Sequence, residues 1–398
     1  MRWMTDDERQ AKLSILRILD WYVPRAWRIA VLCIVAAIPL RLVLAHYSPR
    51  TGWSSLVLFG TRFYPVAIPE MKTCQPSLME GAGYDGQFYC QVAIDPTLRN
   101  PHLKDSLDSP AYRSTRILVP ALAYVIGLGN PCRIIQVYAV LNLVFWFLLL
   151  LGMVRYLRPQ TVRDHMCVVA AVLTSGIMFS MARSLTDLPA ATLAFYSAAL
   201  SGSAAVAVMA LALLAKETYV LSLPRLLGPA NGDRHAIRTT VARLGLAVAP
   251  LAVWYFYAHF HFGFLRSDGP NVSWPGLGVA DYLWRAWRHW YPKRILSPRF
   301  IQELLAPISL LVQVGYMLWR RAPKSPYWRM GIGFAVGFLL LSPDVFIDQY
   351  SFCRDAIPLT LAFNIELMRN KRSTFLLWFI AGNIGLLSGV RETMLFLN

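Results

Sequence analysis

The sequence predicts an all-α polytopic membrane protein, one integral unit of about eleven helical crossings. Three observations predict it. Hydrophobic residues make up 56% of the 398-residue chain and charged residues only 15%, where a soluble domain carries about 25% charged. The apolar residues fall in runs of 15 to 24, separated by short loops rich in Arg and Lys. Only helices and closed barrels satisfy the backbone in lipid, and the roughly ten-residue alternating segments of a barrel are not evident.

The net charge of +17 invites a nucleic-acid reading. The cations cluster in short loops beside apolar spans, which fits orientation signals and contacts with anionic membrane lipids, so no nucleic-acid partner is expected. Residues 1–27 form a cytoplasmic N-terminus of mixed charge. That stretch is too long and too acidic for a signal-peptide n-region, and no cleavable signal is expected. Residues 8–23 suit a short amphipathic helix on the membrane surface.

The first span covers about 28–47. Residues 48–113 make a long polar loop with prolines at 49, 65, 69, 76, 96, 101 and 110. Loops of this length are functional or disordered, and the aromatic content argues for order. Residues 114–128 are apolar but too short to span, and read as an interfacial or re-entrant helix closing an outer segment 48–132. The run 133–154 spans and exits into Arg155, Arg158 and Arg163. Residues 165–182 return to a polar outer turn at 183–189. The region 188–224 is broken at Ser201-Gly202-Ser203 and at Lys216-Glu217-Thr218. A span to about 201 followed by two half-helices meeting at Lys216-Glu217 keeps the basic loops on one side.

Residues 244–262 go outward again. The outer loop 263–298 interleaves Trp284, Arg285, Trp287 and Arg288, as an interfacial helix would. The last segment, 299–398, carries spans near 300–319, 328–345, 355–368 and 374–392. Arg320, Arg321, Lys324 and Arg329 fall in one inner loop, and Arg369, Lys371 and Arg372 in another. The C-terminus ends outside.

The six cysteines show no CxxC and no Cys/His metal spacing. Cys33 and Cys167 fall inside spans. Cys74, Cys90, Cys132 and Cys353 fall on or near the outer face, and Cys74 with Cys90 is the bridge the sequence favours.

The chemistry-bearing residues fall on that same face: Asp85, Gln87 and Asp95 in the loop, Arg113 and Arg116 at its end, then Asp187, Lys216, Glu217 and Arg354. Ionisable groups at membrane depth are costly and are functional candidates by default. Each also has a plainer use. Asp85 can cap a helix over Gly86–Ile94. Asp95-Pro96 reads better as a helix stop. Arg113 and Arg116, three apart, share a helix face and can reach lipid phosphate. Lys216 and Glu217 are adjacent and point apart. Arg354 can pair with Asp344 or Asp348. Tyr84, Phe88 and Val92 repeat every fourth residue, as packing residues do.

Tyr84-Asp85-Gly86-Gln87-Phe88-Tyr89, with the ending Ala93-Ile94-Asp95-Pro96, resembles a segment close to YDGQFYY…Ala-x-Asp-Pro in bacterial membrane proteins related to the GT-C glycosyltransferase superfamily. Tyr112-Arg113 through Arg116-Ile117-Leu118-Val119-Pro120 resembles the YR-x-x-RILxP helix of the same proteins. Leu213-Leu214-Ala215-Lys216-Glu217-Thr218 is similar to an element of the same group, and to the LTKG element of protein O-mannosyltransferases and aminoarabinose transferases. Cys90 stands where that group has a second Tyr. The likeness covers roughly the first 230 residues.

The resemblance implies a GT-C-like bundle with its catalytic module in 28–262, in a bacterial inner membrane with the active site extracytoplasmic. It implies transfer of a hexosyl or pentosyl group, with inversion, from a polyprenyl-phosphate donor to a glycan, lipid or protein acceptor. Asp85 matches the catalytic acidic position, and the chemistry asks it to act as general base. Gln87, Arg113, Arg116, Lys216, Glu217 and Arg354 would bind the substrate and its lipid phosphate, with Tyr84, Asp95 and Asp187 as secondary candidates. Some such proteins use a divalent metal and others none, and no metal ligands are assigned. Two other classes compete: a transporter or flippase of a lipid-linked glycan intermediate, and a non-catalytic membrane assembly protein.

Overall fold

The computed structural model describes residues 18–227, 234–263, 271–290 and 298–395. The surface helix expected over 8–23 therefore falls mostly outside the described residues. The α-helices of five or more residues are, in chain order, α1 (Arg25–Ala45), α2 (Gly86–Ile94), α3 (Pro110–Ser114), α4 (Leu118–Ile126), α5 (Pro131–Leu157), α6 (Val162–Val172), α7 (Ser175–Ala182) and α8 (Asp187–Ala199). They continue as α9 (Gly202–Ala215), α10 (Arg234–Phe262), α11 (Leu277–Trp290), α12 (Pro298–Arg320), α13 (Pro326–Leu340), α14 (Gln349–Asp355), α15 (Ile357–Met368) and α16 (Phe375–Leu395). The described sheet is one two-residue parallel pairing, Phe59–Gly60 with Leu78–Met79.

The helix ends follow local chemistry. Asn130 accepts from the Arg133 N–H at 3.1 Å to start α5, with Pro131 in the first turn, where no N–H is missed. Arg158 ends α5 in the left-handed region. Thr161 and Asp164 form a capping box at the start of α6. Asp348 accepts from Ser351 at 2.7 Å and starts α14.

α1, α5 and α10 are each long and apolar enough to cross a membrane, and α6 with α7 makes a further span bent by 41°. Exposed apolar side chains such as Ile34, Leu151, Val253 and Phe260 cover these helices. In water such a surface would aggregate, whereas in lipid it is the stable one. The chain is an integral membrane protein of all-α architecture. Its shorter apolar helices include α9 and α15, so the expected crossing count rests partly on segments below full span length. The expected interfacial helix of the outer segment is α4, nine residues long.

Small side chains let the helices close on one another. Ala190, Ala191, Ala194 and Ala198 of α8 are buried, as are Ala205, Met209 and Ala212 of α9, and the two helices pack together. α12 packs along α16, and α13 along α15. The outer segment folds onto the bundle through α2, α4 and α5. It is held to α10 as well, where Trp254 Nε1 donates to the Ser114 carbonyl at 2.7 Å and the Tyr257 hydroxyl to that of Thr97 at 2.6 Å.

A disulfide joins Cys74 to Cys132, while Cys90 is free and buried. The expected Cys74–Cys90 bridge is therefore wrong. Cys90 lies inside α2, fully buried and turned into the core, and Cys132 at the head of α5 comes to Cys74 instead. Sequence proximity favoured the wrong partner because the loop folds back to α5 before α2 begins.

Candidate active site

The centre of segment 48–132 is Asp85, immediately before α2. Two glycines place it. Gly83 has φ +70°, and a Cβ there would stand 2.4 Å from the Leu58 carbonyl oxygen. Gly86 runs so close to the Arg183 carbonyl that a Cβ would meet its oxygen at 2.4 Å. The Tyr84-Asp85 pair is thus pinned between two backbone segments that admit no side chain on either flank.

Asp85 occupies the cap position of α2, yet its carboxylate makes no capping hydrogen bond. It receives Arg113 Nη2 at 3.0 Å on one oxygen and Arg354 Nη1 at 3.1 Å on the other. Burial alone would raise its pKa. Arg113 and then Arg354 outweigh that and hold the carboxyl well below the usual carboxylate range. Its side chain remains 22% exposed.

Arg113 is also gripped through Nε (2.8 Å) and Nη2 (2.7 Å) by the two oxygens of Asp108. This fork-on-fork pairing fixes the plane of the guanidinium. Burial disfavours its charge, but Tyr89, Asp108 and Asp85 keep it firmly protonated. The Tyr89 hydroxyl accepts from Arg113 at 3.1 Å and from Arg116 at 2.5 Å. Arg116 in turn forks onto Glu217 at 3.0 and 2.8 Å and donates to the Tyr112 hydroxyl. Burial pushes the Tyr112 hydroxyl up to about 12 despite Arg116, so it stays protonated at neutral pH.

A second network lies beside the first. α9 ends at Ala215, and Lys216 comes next in extended conformation. Its Nζ reaches Asp187 at 2.5 Å and also contacts Asp355. The Tyr219 hydroxyl donates to the Asp187 carbonyl at 3.1 Å. Two pairs of sequence neighbours weld the networks: Lys216 belongs to one and Glu217 to the other, and likewise Asp355 and Arg354. Five carboxylates thus face four cations, drawn from α3, the α9 break, the start of α8, the end of α14 and the outer loop. An aromatic wall flanks the site. Arg354 lies over Tyr84 at 5.5 Å, Tyr84 meets Phe179 edge-on at 5.3 Å, and Phe179 stacks on Tyr350 at 4.4 Å.

The structure therefore brings together Tyr84, Asp85, Arg113, Arg116, Asp187, Lys216, Glu217 and Arg354. It leaves Gln87 and Asp95 outside the ion-pair network. Gln87 spends its amide on the Gly60 N–H (3.0 Å) and the Ala82 carbonyl (2.7 Å). Asp95 accepts from Thr97 and Asn100, which is the work of a helix stop. Arg354 pairs with neither Asp344 nor Asp348 in the ion pairs among the described residues, because Asp348 is turned to cap α14 and Arg354 at the other end of that helix faces Asp85. α3 ends at Ser114, so Arg113 and Arg116 do not share one helix; the Tyr89 hydroxyl is what joins them. Asp108, Tyr89, Tyr112 and Asp355 are site residues that sequence reasoning missed. Asp355 was detectable as the neighbour of Arg354, in the same way that Lys216 neighbours Glu217.

Among the described residues no three His, Cys, Asp or Glu side chains gather to hold a metal ion. Both Asp85 oxygens face guanidinium groups, a donor set that does not suit a divalent cation, and no step of the proposed reaction is routed through one.

The fold and this cluster define an all-α membrane protein with a partly buried, nearly neutral network of fixed charges. No protein-family model matches the sequence, and no curated protein matches it. Among solved structures the chain is similar to ArnT from Cupriavidus metallidurans in its apo crystal form, at TM-score 0.44 and 12% identity, with 87% of this chain and 60% of that one covered. The chain thus spans 60% of that protein's length. A likeness of that size is one of layout and carries no weight in the functional reading.

Proposed function

We propose that the protein is an inverting membrane glycosyltransferase, taking a hexosyl or pentosyl group from a polyprenyl-phosphate donor to an extracytoplasmic glycan, lipid or protein acceptor. Its placement is a bacterial inner membrane with the N-terminus cytoplasmic. The observation that supports this most is the meeting of Arg113 and Arg354 on one carboxylate, Asp85, with Arg116 and Lys216 close behind.

In the reaction the acceptor hydroxyl oxygen bonds to the anomeric carbon as the carbon–phosphate oxygen bond breaks on the opposite face. The hydroxyl proton passes to Asp85, and the polyprenyl phosphate leaves with the bonding pair and one further negative charge. Fixed cations stabilise that developing charge without reorganising, which is where such sites gain most. Arg354 suits this role. Its Nε is buried without a hydrogen-bond partner among the described residues, and Asp85 is the one carboxylate it pairs with there. A donor phosphate competes with Asp85 for Arg354, while Arg113 stays anchored to Asp108. Asp85 then loses one of its two cations, and its affinity for a proton rises as the substrate arrives. Tyr84 and Tyr350, partly exposed on either side of the buried Phe179, offer an apolar face for the sugar ring or the first isoprene.

The test is reconstitution of the full chain in proteoliposomes with a panel of polyprenyl-phosphate sugars, a cell-envelope fraction as acceptor, and mass spectrometry of the extracted lipids. Consumption of one donor with release of polyprenyl phosphate is expected. Donor carried intact across the bilayer with no release would replace this reading with transport.

A further inference from the structure

At the other end of α15 from Asp355, the turn after α12 and the turn between α15 and α16 enclose a cavity of about 540 Å³ lined by Trp319, Arg320, Arg369, Asn370, Lys371 and Arg372. The helix between, Ile357–Met368, separates it from the Lys216–Asp355 pair by roughly 18 Å at about 1.5 Å per residue. It is therefore distinct from the Asp85 site.

The unmet group here is a donor. Arg320 Nε is buried with no partner among the described residues, while the Asn370 amide meets the Tyr316 hydroxyl. Asn370 is only 6% exposed. Its Oδ1 accepts from the Arg372 N–H at 3.1 Å and its carbonyl from Arg163 at 2.8 Å. The nearby Tyr316 hydroxyl is directed at the Glu366 carbonyl, at 3.4 Å. Among the described residues one carboxylate serves the four cations: Glu366, which pairs with Arg369 at 3.3 Å. Arg369 is further held by the Ser325 hydroxyl at 2.9 Å, so it is part of the wall. Arg320, Lys371 and Arg372 have no such brace among the described residues. A buried donor left without an acceptor is costly, and one beside three cations that no carboxylate pairs with among the described residues calls for an anion with several acceptor oxygens.

A basic loop beside a membrane span is ordinary on its own. This one differs in being concave and in holding a buried guanidinium donor, Arg320 Nε, that open water does not reach. It also has an aromatic floor. Arg372 lies over Trp319 at 5.2 Å, and Trp319 stacks on Trp378 at 5.8 Å. Such rings sit at head-group depth.

We propose that this cavity is a phosphate-binding site, its occupant held by Arg320, Lys371 and Arg372. A lipid phosphodiester and free inorganic phosphate share that chemistry. The test uses the full chain in phosphatidylcholine nanodiscs, with thermal stability as the readout. One arm adds a minority of phosphatidylglycerol to the disc and the other adds inorganic phosphate in solution. Stabilisation in the first arm alone identifies the lipid head group, and in the second the free anion. In either case R320Q/R372Q should weaken the apparent affinity roughly tenfold or more. R155Q/R158Q, which removes the same charge from exposed positions at the C-terminal end of α5, should leave it unchanged. Should R320Q/R372Q not fold, K371Q at an exposed position is expected to give a smaller loss of the same kind. No stabilisation by either probe, or equal losses in the paired and control variants, overturns the site.

Discussion

Asp85→Asn separates the roles of Asp85 most sharply. The substitution keeps the shape and one acceptor oxygen but removes the charge that Arg113 and Arg354 share at 3.0 and 3.1 Å. Breaking a fully buried pair by deleting one partner costs about 3–5 kcal/mol. Two features lower that figure here. The Asp85 side chain is 22% exposed, and Arg113 keeps its fork on Asp108. Only Arg354 loses its carboxylate, so a stability loss of about 2 kcal/mol is expected. Transfer should fall much further, by roughly 10²–10⁴, because the proton acceptor is gone. The assay is single-turnover release of polyprenyl phosphate at saturating donor, normalised to folded protein by thermal melt in the same detergent. A turnover that falls only in proportion to the folded fraction would refute Asp85 as the base.

The remaining predictions concern pH, the Tyr89 hub and the disulfide. A carboxyl held below its unfolded pKa contributes stability above about pH 4 and loses it as pH falls through the folded value. Asp85 is lowered in this way, so kcat/KM should show no acid limb from it between about pH 5 and 8; a midpoint near 6 that disappears in Asp85→Asn would contradict the ion pairs. Tyr89→Phe removes the acceptor shared by Arg113 and Arg116. About 1.5–3 kcal/mol is expected for a hydrogen bond to charged groups, read as a lower melting temperature and a raised donor KM. Cys132→Ser opens a loop whose ends are 58 residues apart, which costs about 4 kcal/mol on chain entropy. Cys90→Ala should cost much less, and a reversal of that order in reducing and non-reducing melts would return the bridge to Cys90.

The sequence carried the layout well because hydrophobic periodicity and loop charge are local signals. α1 and α5 fall close to the expected 28–47 and 133–154, while α10 covers the expected 244–262 but begins ten residues earlier, at Arg234, and takes Arg234, Arg238 and Arg243 out of the expected loop. The isolated break at Lys216-Glu217 also stands out locally, since charge inside an apolar run has a cost visible in the sequence alone. What was not legible is pairing. Arg354 was offered Asp344 and Asp348 by proximity, and the real partner is 269 positions away. Asp108 has no sequence signature at all, because nothing in a loop reveals which carboxylate will lie in the plane of a particular guanidinium. Gln87 shows the opposite error. A polar residue inside a motif looks chemical, yet its amide is committed to holding backbone segments in place.

The Cys74–Cys132 link has a further consequence for biogenesis. Its second cysteine sits at the entrance of α5, so if that face is the oxidising one, as the proposed orientation has it, the bond closes only after residue 132 has crossed, when the second long span is already emerging from the ribosome. In the orientation proposed, the covalent bond is a timestamp on membrane insertion. Chains stalled before α5, or inserted the wrong way round, keep both thiols reduced, and thiol trapping of nascent chains would sort correctly threaded molecules from the rest before any sugar is transferred.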